Sequence, residues 1–239
     1  MVGAIIQARM GSSRLPAKVL KTLPYDSHIT VLDRIIQVLE SIPEINKVII
    51  AIPNTPQDDS LAQILADKKV LYYRGSEQDV LSRFYEASHR HKLQTILRFT
   101  ADNPCIDATF IHQTLVTHLA AGADYTNSQG LPLGTNLEVF SFTALEKAFK
   151  AADTPYEREH VTPYIKNIQN GFMLHTIAYK GFDPELRLTL DTAQDYTFQC
   201  CLFLALKEAN LPLTLPAIQE VIHRHPWMTE INRHIKQAS

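Results

Sequence analysis

Short apolar runs alternate with stretches of helical spacing through the first half of the chain. Residues 2–6 and 48–52 are rich in Val and Ile and stop at polar or proline positions, the pattern of strands buried on both faces. Between them, residues 29–42 carry Val31, Leu32, Ile35, Ile36 and Leu39 at helical spacing, so the chain opens with a strand–helix–strand unit. Asp58-Asp59-Ser60 can cap a helix bearing Leu61, Ile64 and Leu65. A strand near 70–73, a helix over about 77–91, a strand at 95–100 and a helix at 109–121 follow. This alternation predicts an α/β fold with an open, mostly parallel sheet and helices on both faces. Ligands of such sheets sit beyond the carboxyl ends of the strands, which points to the segments after Ile6, Tyr73 and Thr100.

Past Gly122 the order changes. The pattern predicts strands at 137–142, 173–179 and 186–190, a helix at 144–152 and part of another at 161–166. Mixed or antiparallel strands fit this part. No linker composition, repeat or low-complexity segment interrupts the sequence, so residues 1–239 are expected to form a single domain.

Composition narrows the function classes. Hydrophobic residues make up 45% and charged residues 20%, as in an ordinary soluble globular protein. Lys and Arg number 23 against 25 acidic residues, so non-specific nucleic-acid binding has no global field to rest on, and an anion site must be built locally. Cys105, Cys200 and Cys201 show no CxxC or Cys/His metal spacing, which suits a reducing compartment. There is no signal-peptide pattern and no run of about 20 apolar residues, so a cytoplasmic location off the membrane is expected.

The local anion site is Gln7-Ala8-Arg9-Met10-Gly11-Ser12-Ser13-Arg14-Leu15-Pro16-Ala17-Lys18. It follows a central strand and offers a Gly-Ser-Ser turn with Arg9, Arg14 and Lys18 around it. Gly11 can take a positive φ, successive N–H groups in such a turn form an anion nest, and Ser12 and Ser13 add hydroxyl donors. A solvated basic loop is the bland alternative. Neither G-x-x-x-x-G-K-[ST] nor G-x-G-x-x-G occurs, and the chain has only 8 glycines, so the common P-loop and dinucleotide readings fail.

Two carboxylates stand at strand ends. Asp102 follows 95–100, where it can hold Mg²⁺ against phosphate oxygens or simply form a turn before Asn103-Pro104. Asp191 ends 186–190, and can equally cap the helix that begins near Ala193. Among other singled-out residues, His223-Arg224-His225 reads as surface, Trp227 as packing of the C-terminal tail onto the domain or a partner, and Tyr125 as pocket, core or edge.

Taken together, these blocks resemble the cytidylyltransferase family that activates acidic nine- and eight-carbon sugars, sialic-acid-like and Kdo-like. The likeness is greatest to the branch of spore coat polysaccharide biosynthesis protein F. It runs from Ile5 to about Phe198 through IIQARMGSSRLPAKVL, YRGSEQDVLSRFYEA, RFTADNPCID, LEVFSFTALEKA, EREHVTPYI and LRLTLDTAQDY. The resemblance implies a Rossmann-like three-layer sandwich of the nucleotide-diphospho-sugar transferase type, with residues about 122–185 supplying the sugar-side wall and possible homodimer contacts. It implies that Arg9, Gly11, Ser12, Arg14 and Lys18 contact the triphosphate of CTP. Backbone at Ala8 and Arg9 would meet the base together with Gly75, Ser76 and Asp79. Asp102 and Asp191 would hold Mg²⁺, and Asn136, Glu138, Arg158, Glu159 and His160 would form the sugar pocket. Two departures stand out: Ala17 where the family more often has Gly, and Gly134-Thr135-Asn136 in place of a commoner Gly-Leu-Asp.

The implied chemistry is nucleotidyl transfer, in which positioning and charge neutralisation matter more than covalent catalysis. Arg14, Lys18, Asp102 and Asp191 are its candidate catalytic residues. The rivals are a sugar-phosphate nucleotidyltransferase, a glycosyltransferase using another nucleotide, or a non-catalytic nucleotide-binding subunit. An Asp-x-Asp metal triplet, usual in glycosyltransferases of this architecture, is absent from the sequence.

Overall fold

In the computed structural model, which describes residues 1–236, the expected alternation runs through the fourth strand and fourth helix, after which two strands follow without a helix between them. The elements are β1 (Val2–Gln7), α1 (Val31–Glu40), β2 (Lys47–Pro53), α2 (Asp59–Asp67), β3 (Tyr72–Gly75), α3 (Val80–Arg90), β4 (Thr95–Thr100) and α4 (Ala108–Ala121). Then come β5 (Tyr125–Gln129), β6 (Glu138–Ser141), α5 (Phe142–Ala151), α6 (Pro155–His160), α7 (Pro163–Lys166), β7 (Leu174–Ala178), α8 (Ala193–Glu208) and α9 (Leu215–Arg224).

The seven strands form one sheet in the order β3-β2-β1-β4-β6-β5-β7. β1 pairs in parallel with β2 and β4, so Ile5 lies between Ile49 and Arg98. β6 alone runs against its neighbours, antiparallel to both β4 and β5. Alternate residues of β1 feed two separate cores. Ala4 and Ile6 pack with apolar residues of α1, α2, α4, α8 and α9, while Ile5 packs with those of α3, α5 and α7. The result is a three-layer α/β sandwich with a mostly parallel, mixed sheet. Strand order reverses between β1 and β4, which opens a crevice at their carboxyl ends.

Local chemistry fixes several boundaries. A Thr30–Asp33 capping box starts α1, and a Thr192–Asp195 box starts α8. Asp107 caps α4 through Thr109 N (2.8 Å) and also accepts from Leu215 N (2.8 Å), tying the start of α9 to that of α4.

Three expectations from the sequence need correction. The 186–190 run is extended but lies outside the sheet, joined to the 131–135 loop by Leu133 N→Leu186 O and Leu188 N→Leu133 O (both 2.9 Å). Residues 161–166 do not form one helical piece, because Val161 sits at φ 70° and ψ −54° with Thr162 N bonded back to His160 O (2.8 Å). That is a γ-turn of the rare, positive-φ kind, an uncommon place for a β-branched residue. The third is an omission: β5 is a strand that the pattern above does not contain, and Trp227 is half exposed on this chain by itself.

Candidate active site

The basic loop leaves β1 at the sheet centre and is anchored from both sides. Ala8 N–H donates to Ala51 O (3.1 Å), so any base contact at this residue falls to its carbonyl. Met10 N–H donates to Asp58 Oδ1 (2.8 Å), and Asp58, itself buried, is held by the Thr55 hydroxyl (2.7 Å). Ser12 Oγ accepts from Leu15 N (3.3 Å), and Leu15 is buried as the loop's apolar anchor. Gly11 is not in the left-handed region, contrary to the nest expected there. The left-handed residue is Ala17, at φ 52° and ψ 30°, which gives a physical reason for the glycine common at this place. Arg9 and Arg14 remain exposed to solvent.

Lys18 does not. Its ammonium lies 2.8 Å from Asp102 Oδ2 and 2.9 Å from Asp191 Oδ1. Burial alone would pull its pKa down, but Asp102 and Asp191 more than offset that and hold it above the usual lysine value. The two carboxylates meet because Leu190 N–H bonds to Asp102 O (2.8 Å), docking one strand end on the other. Asp102 also accepts from the Thr100 hydroxyl, which in turn accepts from Asn103 Nδ2 (2.7 Å). Arg14 stands 3.6 Å from Asp191 Oδ1. Asp191 is not a helix cap, since Thr192 takes that position.

Two hard carboxylate oxygens converging on a single cationic point fit Mg²⁺, which is commonly held by one or two carboxylates with water and phosphate completing its shell. Among the described residues no group of three or more His, Cys, Asp or Glu is placed to hold an ion.

Gly75 and Ser76 lie at the turn from β3 to α3. A Cβ on Gly75 would come within 2.8 Å of Arg83 Cγ and 2.9 Å of a Tyr73 ring carbon, so close packing demands glycine here. Asp79 caps α3 through Ser82 N (2.8 Å), and its other oxygen pairs with Arg158 (3.3 Å). Buried Arg83 lies below its usual pKa, at about 10, first through desolvation and then through Arg9.

On the other side of the crevice a cavity of about 260 Å³ is lined by Arg98, Asn103, Asn127, Ser128, Asn136 and Glu138, among others. An adjoining recess shares Arg98 and Lys166 with it and adds Tyr156, His160 and Thr162. Glu138 is the hub between them. It accepts from Arg98 (2.7 Å), Tyr125 Oη (2.6 Å), Thr162 Oγ1 (2.9 Å) and Lys166. Burial would raise its pKa, but Arg98 and Lys166, with the hydrogen bonds from Lys166 and Tyr125, hold it at about 2. Two cations share this one carboxylate, which leaves a net positive charge of one.

Of the residues assigned to a sugar pocket, Asn136 and Glu138 line the cavity and His160 the recess. Arg158 turns to Asp79 and the Phe149 ring, and Glu159 is exposed. The structure therefore does not bring those two into the cavity or the recess. Arg98, Lys166, Asn127 and Ser128 were missed. A charged residue inside an apolar strand run was the available signal for Arg98; the others had none beyond polarity.

Comparison with known proteins identifies the family. A sequence profile of the family described as Cytidylyltransferase matches residues 3–210. An uncharacterized protein of Methanocaldococcus jannaschii is 34% identical over 240 residues, spanning 98% of this chain and 96% of that protein. Spore coat polysaccharide biosynthesis protein SpsF of Bacillus subtilis is 35% identical over 197 residues, spanning 80% and 82% respectively. Among solved structures, a cytidylyltransferase from Leptospira borgpetersenii serovar Hardjo-bovis superposes with a TM-score of 0.85 at 27% identity, over 100% of this chain and 99% of that one.

Proposed function

The chain belongs to the cytidylyltransferase family, and from that premise we propose that it moves CMP from CTP to an acidic, sialic-acid-like or Kdo-like sugar, releasing pyrophosphate, for surface glycan synthesis. The observation that carries the reading is the meeting of Asp102 and Asp191 at Lys18, at 2.8 and 2.9 Å, on a loop that also presents Arg9 and Arg14. That loop offers several positive charges to a triphosphate. The adjoining recess keeps one net positive charge among amides and hydroxyls, which favours an anionic acceptor over a neutral one.

In the proposed reaction an acceptor hydroxyl attacks the α-phosphorus in line, and the bond from that phosphorus to pyrophosphate breaks. Arg9, Ser12 and Arg14 bind and orient the phosphate oxygens. Lys18 and Arg14 stabilise the charge that builds on the leaving pyrophosphate. Asp102 and Asp191 would hold Mg²⁺, which supplies charge neutralisation and a lowered pKa for the attacking hydroxyl. Glu138 keeps Arg98 and Lys166 in place at the acceptor side, and His160 lines the recess wall.

The test is a pyrophosphate-release screen of four nucleoside triphosphates against a panel of 2-keto-3-deoxy sugar acids, with Asp102→Ala in parallel. We expect release only with CTP and an acid, and a loss of ~10²-fold or more in the variant. Release with a sugar phosphate instead of an acid would replace the acceptor assignment. Full activity in Asp102→Ala would sink the metal assignment.

A further inference from the structure

Behind Asp191 lies a second, fully buried ionic layer. Arg187 donates to Asp191 Oδ2 (3.1 Å) and to both oxygens of Asp195 (2.8 and 3.0 Å). Asp195 Oδ2 also accepts from the backbone N–H of Asp191 and Thr192 (3.0 Å each), so it grips both the side-chain partner and the main chain of Asp191.

The layer is closed from outside the family-matched region. Residues 3–210 match the family, yet Asn232, in the C-terminal segment, is 1% exposed and reaches in with its amide. Asn232 Nδ2 donates to Asp195 Oδ1 (3.0 Å) and to Arg187 O (3.2 Å). One amide therefore stitches together the two residues that fix Asp191. The segment is held there by apolar packing, with Met228 buried against the core that α8 and α9 share.

We infer that Asn232 is a positioning residue for the active site: through Asp195 and Arg187 it locks Asp191 so that Oδ1 faces Lys18 and the loop while Oδ2 stays engaged. Buried polar groups support a ligand best when every member of the layer is satisfied. Loss of the Asn232 amide leaves Asp195 Oδ1 short of a donor in a site closed to water, and the Arg187 fork shifts to compensate. The orientation of Asp191 then loosens without any contact between residue 232 and substrate. This inference rests on Asp191 holding a divalent ion.

The test compares the whole enzyme, wild type, Asn232→Leu, Asn232→Ser, Leu145→Ala and Asp191→Asn, each saturated with CTP. Free Mn²⁺ is read by electron paramagnetic resonance, and kcat, CTP KM and Tm are measured alongside. Asp191→Asn is expected to lose Mn²⁺ binding. Both Asn232 variants are expected to bind Mn²⁺ ~10-fold more weakly and to lose kcat by a similar factor, with CTP KM little changed. Leu145→Ala, which opens a cavity in the core on the other face of the sheet, is expected to lower Tm and leave Mn²⁺ binding as in wild type. If Asn232→Leu and Asn232→Ser bind Mn²⁺ as wild type and lose only Tm, Asn232 is structural and the inference is overturned. If Asp191→Asn binds Mn²⁺ normally, the metal reading itself falls, and this inference with it.

Discussion

Single residues in this site are tuned against their own preferences. Ala17 holds a left-handed conformation that costs a residue with a Cβ about 1–2 kcal/mol, and it does so one position before Lys18. Glycine would relieve that strain at an entropic cost of about 0.5–1 kcal/mol. Ala17→Gly is therefore expected to raise Tm by roughly 2–4 °C, and a fall in Tm would mean the loop is not strained there. Glu138 is tuned electrostatically. Its folded pKa of about 2 lies below its unfolded value, so its contribution is complete above the unfolded pKa and drains away as pH falls towards 2. The depression corresponds to stability on the order of 3 kcal/mol. Glu138→Gln should be much less stable than wild type at neutral pH, with Arg98 and Lys166 left facing each other. The gap between the two Tm–pH curves should close as pH drops from about 4.5 to 2. Parallel curves over that window would show that Glu138 does not carry the linkage.

Elements were legible where burial alone wrote the pattern. β1, β2 and β4 are apolar runs between helices of clear periodicity, so their existence and parallel order follow from the sequence. β5 was hidden because Tyr125, Thr126, Asn127 and Ser128 are not a strand-like apolar run. Their polarity has a use: Asn127 and Ser128 line the cavity, and the Tyr125 hydroxyl serves Glu138. The opposite error arose at 186–190, where Leu186, Leu188 and Leu190 alternate as a strand should. That alternation buries Leu188 and Leu190 in the core, with Leu186 partly buried against it, and leaves Arg187 for the ionic layer behind Asp191, while the ladder partner is a loop. The loop can come this close because Gly134, at φ 96°, has no Cβ; one would lie 2.9 Å from Thr189 N and 2.8 Å from Asn103 Oδ1. The strand-end aspartates were readable from position alone, but their meeting at Lys18 is a tertiary fact. So is the diversion of Arg158 to Asp79, which no spacing within Glu157-Arg158-Glu159-His160 announces.

Across the whole molecule, charge is nearly balanced, at −2 overall, and among the described residues no helix is long and apolar enough to cross a membrane. A triphosphate therefore meets no long-range attraction from the body of the protein, only a local field from the loop beyond β1. Within that field the cations differ in exposure. Arg14 has 41% of its side chain open and Arg9 is also exposed, whereas Lys18 has 14% and two bound carboxylates. Salt screens exposed charges over about 8–10 Å at ordinary ionic strength and buried pairs far less. The two arginines should thus govern capture, while Lys18 acts after the nucleotide is seated. Raising salt from about 0.05 to 0.5 M should lift the CTP KM several-fold, roughly 3–10, with kcat nearly constant. In the Arg9→Gln/Arg14→Gln double variant KM should start high and respond weakly to salt. If its salt response matches wild type, the steering charge lies elsewhere on the surface; if kcat falls with salt in the parent enzyme, the Lys18 pairing is itself open to screening ions.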